Sequence, residues 1–234
     1  MFFIGGALPV FDTLETMYES HCQESTELFH VTFTAPDELK GNLELVRQIK
    51  KNFSVRLMGR IDFALPEAQF EQLYLAGLDL LDLPLHVLSE TARPSGHNNI
   101  SYLVQAAAAF PRWSLTSSLQ TNEMPVPVLR STIDTLLANG IIPLLTIPAE
   151  TVAAERDEAT GLFVYLAEAW QRHDVPVKPL MPLIRLSTPL DCASGGFIRS
   201  AIDRFQDRRM LATSDLRRHL RTSGAEASFE SAGL

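Results

Sequence analysis

Val126-Pro127-Val128-Leu129-Arg130-Ser131-Thr132-Ile133-Asp134-Thr135-Leu136-Leu137-Ala138-Asn139-Gly140-Ile141-Ile142-Pro143-Leu144-Leu145-Thr146-Ile147-Pro148 reads as a helix, a break and a strand in direct succession. Leu129, Ile133, Leu136 and Leu137 recur at the spacing of three and four that puts apolar residues on one helix face. Asn139-Gly140 supplies the left-handed residue on which helices end, and the apolar run after it has the length of a buried strand. The unit is half of a βαβ repeat.

The same rhythm runs outward in both directions. Short β-rich apolar runs predict strands over residues 2–5, 28–34, 55–61, 78–85, 113–119, 141–147 and 177–184. Between them, helical spacing predicts helices over 13–25, 38–52, 66–76, 100–110, 126–139 and 151–173. Asp37 suits an N-cap, Pro66 a first-turn position where its missing N–H costs nothing, and Ala76-Gly77 a left-handed helix end. Because parallel crossovers are right-handed in nearly all cases, consecutive units wind the sheet one way. The expected fold is an α/β (β/α) barrel or partial barrel, TIM-barrel-like, with six to eight parallel strands. A doubly wound sheet is the alternative and requires a reversal of strand order.

Past residue 184 the rhythm breaks. Residues 197–221 read as a charged helix carrying Arg199, Arg204, Arg208, Arg209, Arg217, Arg218 and Arg221, a solvated face or a surface for a protein partner. Residues 222–234 have no core-facing pattern and are expected to form a disordered tail. One barrel-type domain over 1–221 is the expectation, since such barrels commonly run to ~200–250 residues.

Composition narrows the partners. Hydrophobic residues at 46% and charged residues at 21% suffice for a sizeable core. A formal charge of −8 offers no general attraction to a phosphate backbone or an anionic membrane, so neither nucleic acid nor membrane is expected. No apolar run approaches the ~20 residues of a transmembrane helix, and residues 1–6 lack the basic start of a secretory signal, so a cytoplasmic location is expected. Cys22 and Cys192 stand far apart without a CxxC partner, which rules out a disulfide framework or a four-cysteine metal site built from this chain alone.

Three segments together resemble the radical S-adenosylmethionine family, in its biotin-synthase-like branch. They are the helix from Pro66 running into Ala76-Gly77-Leu78-Asp79, the segment Val126–Pro148, and Val175-Pro176-Val177-Lys178-Pro179-Leu180-Met181-Pro182-Leu183 followed by Ser187-Thr188-Pro189-Leu190. The resemblance covers roughly residues 54–190 and implies a barrel with its ligand at the C-terminal rim. Three departures accompany it. The loop Gly6-Ala7-Leu8-Pro9-Val10-Phe11-Asp12 holds no cysteine where the family places CxxxCxxC, whose three thiolates hold an iron–sulfur cluster. Thr34-Ala35-Pro36-Asp37-Glu38 replaces the GGE-type clamp, and Leu119-Gln120-Thr121-Asn122 replaces the glycine-rich element after the fifth strand. No iron–sulfur cluster is therefore expected, and S-adenosylmethionine is implied by the resemblance alone. A cluster motif encoded upstream of Met1 would be a further explanation of the first departure.

Position then selects candidate residues, because ligands in such folds sit at the C-terminal ends of the strands. Alternation along the fourth strand turns Asp82, Pro84 and His86 one way and Leu81, Leu83 and Leu85 the other. Asp82 and His86 are the candidate acid–base pair, since a carboxylate beside an imidazole holds it in one tautomer and raises its basicity. Candidate ligand-binding residues are His30, Thr32 and Thr34 on the second strand, and Arg60 and Asp62 at the end of the third. To these are added Glu90, His97 and Asn98 after the fourth, and Thr116, Ser118 and Gln120 on the fifth. Lys178 and Arg185 flank the predicted seventh strand, with Lys178 near the barrel floor. The histidines lack HxH or HExxH spacing, and no GxGxxG, GxxxxGK[ST] or GxSxG motif occurs, so no metal, nucleotide or nucleophile-elbow site is expected. Two function classes remain: a cluster-free, radical SAM-like barrel binding a small polar ligand as an accessory protein, or a lyase, isomerase or hydrolase using Asp82 and His86.

Overall fold

The computed structural model describes residues 2–5, 27–85, 99–122, 124–147, 153–187, 214–219 and 221; for 2–5, 153–159 and 185–187 it describes the backbone alone. Six strands form one sheet in the order β1 Phe2–Gly5, β2 Leu28–Phe33, β3 Arg56–Ile61, β4 Leu80–Asp82, β5 Leu115–Gln120 and β6 Ile142–Thr146. Every neighbouring pair is parallel. Strand order follows chain order, so the reversal that a doubly wound sheet requires does not occur among the described strands.

The connecting helices are α1 Leu39–Asn52, α2 Glu67–Ala76, α3 Asn99–Ala109, α4 Val126–Ala138 and α5 Ala153–Arg172, followed by α6 Met181–Ser187. Each amphipathic face is the one the spacing predicts. In α1, Leu39, Leu43, Val46 and Ile49 are buried, and in α4 Leu129, Ile133, Leu136 and Leu137.

Register sorts the sheet into two faces. Phe29, Val31 and Phe33 align with Leu57, Gly59 and Ile61, and Gly59 aligns with Leu81, which aligns with Leu115. This face meets the helices: Phe29 packs edge-to-face on Phe53, the residue that closes α1, with centroids 5.1 Å apart. Gly59 is required there, because a Cβ would lie 2.6 Å from Leu78 Cδ1 and 3.2 Å from Phe33 Cε2. The opposite face carries His30 level with Met58 and Leu80, then Thr32, Arg60, Asp82, Thr116 and Ile142 in one row, and Ser118 level with Leu144.

Several expectations need correction. The seventh strand predicted over 177–184 is instead a 3₁₀ turn, Lys178–Leu180, leading into α6. Pro179 and Pro182 explain this: each lacks the N–H a central strand must donate, whereas proline fits the first turn of a helix. Lys178 is therefore a helical residue, its ammonium buried with no hydrogen-bond partner among the described residues. Arg185 lies in α6. The fourth strand is only Leu80–Asp82, so alternation does not direct residues 83–85, all of which are buried. Asp37 makes no cap; it sits inside a 3₁₀ turn, Pro36–Glu38, that precedes α1. Pro66 and Pro125 each occupy the N-cap itself, with extended ψ of 145° and 144°. Gly77 and Gly140 do take positive φ, 126° and 73°, at the ends of α2 and α4. The predicted helix over 13–25 and the tail over 222–234 lie outside the described residues, and of the predicted basic helix only 214–219 and 221 lie within them.

Candidate functional site at the C-terminal strand ends

The row level with Asp82, on the sheet face away from Phe29 and Leu57, concentrates the polar chemistry. Asp82 is 2% exposed. Thr116 Oγ1 donates to its Oδ1 at 2.9 Å, while Ser118 Oγ lies 3.1 Å from Oδ1 and 2.9 Å from Oδ2. Both hydroxyls come from alternate residues of β5, so strand pleating puts them on the same side and one step apart along the carboxylate. Each has one proton, and giving it to Asp82 leaves only lone pairs for any further partner.

Arg60 adds the positive charge. Its Nη1 lies 3.5 Å from Asp82 Oδ2 and its Nε donates to Asp62 Oδ1 at 2.8 Å. The guanidinium is thus fixed between two carboxylates, with Arg60 and Asp62 28% and 30% exposed and the rest of its N–H fork uncommitted among the described residues. Arg60, Asp62 and Asp82 together carry one net negative charge.

His30 completes the cluster from β2. It is buried, and burial is the main reason its imidazole titrates below the ordinary value near 6.5. The negative charge of Asp82 opposes that shift, Arg60 reinforces it and Asp62 opposes it. His30 is consequently a neutral imidazole at pH 7, electrostatically tied to Asp82. Such a group serves as a hydrogen-bond partner or proton acceptor without introducing a charge.

Most sequence-selected residues with described side chains meet here. His30, Thr32, Arg60, Asp82, Thr116 and Ser118 share this face, Asp62 joins through Arg60, and Gln120, level with Thr146, ends β5 on the same side. Thr32 and Gln120 are partly exposed, which places them toward the open rim. Thr34 does not join: it is exposed and its hydroxyl donates to Glu38 Oε2 at 2.8 Å. His86, Glu90, His97 and Asn98 lie outside the described residues, so the imidazole seen beside Asp82 is that of His30.

Sequence reasoning missed a second buried carboxylate, Asp79. It accepts from Lys50 Nζ at 2.9 and 3.1 Å, from the Leu57 amide at 3.1 Å and from Arg218 Nη2 at 3.2 Å. The available signal was a charged residue two positions after a helix-ending glycine and directly before a strand, where burial compels a partner.

Among the described residues no cluster of three or more histidine, cysteine or acidic side chains could hold a metal ion, and no helix is long and apolar enough to cross a membrane. No protein-family model matches the chain, and no curated protein matches it.

Proposed function

We propose that the six-stranded sheet is the arc of a (β/α) barrel and that its C-terminal rim binds a small polar ligand at the His30, Arg60, Asp62, Asp82, Thr116 and Ser118 cluster. Strand order that never reverses supports the barrel reading, since right-handed crossovers then put every helix on one face and curl the other inward. One observation carries the binding reading. A nearly fully buried carboxylate is held by two hydroxyls, with a partly exposed arginine beside it and an uncharged imidazole within its electrostatic reach, at the sheet end where α/β folds bind ligands.

The resemblance to radical SAM barrels is retained here as lineage only. The chain's two cysteines cannot supply the three thiolates of that family's cluster, so no step is routed through one. S-adenosylmethionine enters by the resemblance alone. The accessory role beside related enzymes follows from that lineage.

The second reading is a cluster-free enzyme. The burial of His30 within the electrostatic reach of Asp82 favours it, because a neutral imidazole can take up a proton as a general base does. In that reading His30 takes the part that the sequence assigned to His86.

Native mass spectrometry of the purified full chain, with thermal-shift titration of whatever small molecule co-purifies, tests the proposal. A ligand whose binding is lost in Asp82→Asn and weakened at least tenfold in Arg60→Gln is the expected result. Equal affinity in both variants removes the site from this cluster. Turnover of the ligand that is lost in His30→Gln selects the enzyme reading, and binding without turnover selects the accessory one.

A further inference from the structure

The other end of the sheet is covered by a segment far away in sequence. Residues 214–219 and 221 are helical and meet the ends of α1, α2 and α3. Arg218 Nε donates to Tyr74 O at 2.8 Å and its Nη2 to Leu78 O at 3.1 Å, so its charge sits on the carbonyl end of α2. Arg221 Nη1 donates to Ala109 O at 3.1 Å, the carbonyl end of α3, and faces Glu71 Oε1 at 3.3 Å. Both guanidiniums also lie over the Tyr74 ring, at 4.8 and 5.3 Å from its centroid, and the Tyr74 hydroxyl donates to Ser214 O at 2.9 Å.

Three ion pairs cross this contact, Arg218 with Asp79 at 3.2 Å, Lys50 with Asp215 at 3.6 Å and Arg221 with Glu71 at 3.3 Å, yet the most buried charges keep a partner on their own side. On the body, Asp79 pairs with Lys50 at 2.9 Å and accepts the Leu57 amide, so it stays neutralised and hydrogen-bonded without Arg218. On the segment, Arg218 Nη1 pairs with Asp215 Oδ1 at 2.6 Å, so it carries its own counterion. Separation therefore strands no isolated buried charge on either side, whereas an ordinary buried pair would be left with one. What separation exposes is aromatic: Tyr74, wholly buried, and Phe110 packed against it at 5.4 Å.

We infer that residues 214–219 and 221 belong to a detachable strap, docked by Arg218 and Arg221 on a preformed site made of Lys50, Tyr74, Asp79 and the carbonyl ends of α2 and α3. It opens as a unit of its own while the sheet stays folded. This inference is independent of the ligand site, which lies on the opposite end of the strands.

Hydrogen exchange read by mass spectrometry on the full chain tests it. In Arg218→Gln, and to a lesser degree in Arg221→Gln, amides of 214–221 should exchange at least tenfold faster, while those of β3, β4 and α1 change less than twofold. Parallel acceleration of the sheet, or an Arg218→Gln chain that does not fold, makes the segment part of the cooperative core and overturns the inference. Unchanged exchange of 214–221 in both variants overturns it as well, because the arginine contacts then do not hold the segment.

Discussion

Asp79 and Asp82 flank one short strand, both almost fully buried at 3% and 2% exposure, yet their surroundings differ in kind. Asp79, before the strand, faces the helix side and meets two cations and a backbone amide. Asp82, at the strand's end, faces the other side and meets two hydroxyls, with its nearest cation at 3.5 Å and shared with Asp62. A carboxylate matched by full opposite charge is tied into the scaffold. One held by neutral donors keeps more of its charge available, which suits a group that acts on something else. On the proposed barrel reading, the contrast is that between the stabilising and the ligand-binding rims of such folds.

The contrast is broken most directly at Asp79. Asp79→Asn leaves Lys50 with only its 3.6 Å contact to Asp215 and weakens the acceptor of the buried Leu57 amide, and should cost about 3 kcal/mol of stability, read from urea denaturation. A loss under about 1 kcal/mol would erase the distinction, since it would make Asp79 no more structural than a typical hydrogen-bonded group. Asp82→Asn should cost less, about 1 kcal/mol, because the amide oxygen still accepts one hydroxyl while the amide nitrogen opposes the other. On the proposed reading its larger effect is the loss of ligand binding. Arg60→Gln should change stability by about 0.5 kcal/mol at most, since its side chain is 28% exposed and solvent screens the pairing.

The finest readout is a slope against pH. His30 has a folded-state pKa below its unfolded value, so as pH falls through about 6.5 the unfolded chain binds a proton that the folded chain resists. Stability should fall from pH 6.5 down toward the folded-state value and be flat in this respect above it. Subtracting the profile of His30→Gln isolates the contribution. A difference profile that rises on acidification would mean that Asp82 and Asp62, which act to raise the imidazole's pKa, outweigh burial.

Much of this was legible in the sequence, for identifiable reasons. Helical spacing located α1 and α4 nearly to the residue, because amphipathic faces state their period openly. Alternation correctly grouped His30 and Thr32 on β2 and Thr116 with Ser118 on β5, since pleating leaves no other choice. It failed over 177–184, where an apolar run looked like a strand and Pro179 and Pro182 forbade one. Thr34 was misgrouped for a different reason: β2 ends at Phe33, and past a strand's end parity no longer directs a side chain. The Asp79 cluster was illegible because its partners lie 29 and 139 residues away, and no local pattern announces such a meeting.

Those separations bear on the order in which the chain assembles. Each strand finds its neighbour within a short stretch: Arg60 pairs with Asp82, Asp82 with Thr116, and Thr116 with Ile142, all closing loops of roughly 20–35 residues. A sheet ordered like its own sequence can thus grow one unit at a time from whichever end is available first, with no strand waiting for a distant partner. During synthesis β1 to β6 would pair as they emerge. Tyr74 would stay uncovered until residues 214–219 and 221 had been made and had docked, so that this aromatic surface closes only after the sheet beneath it has paired.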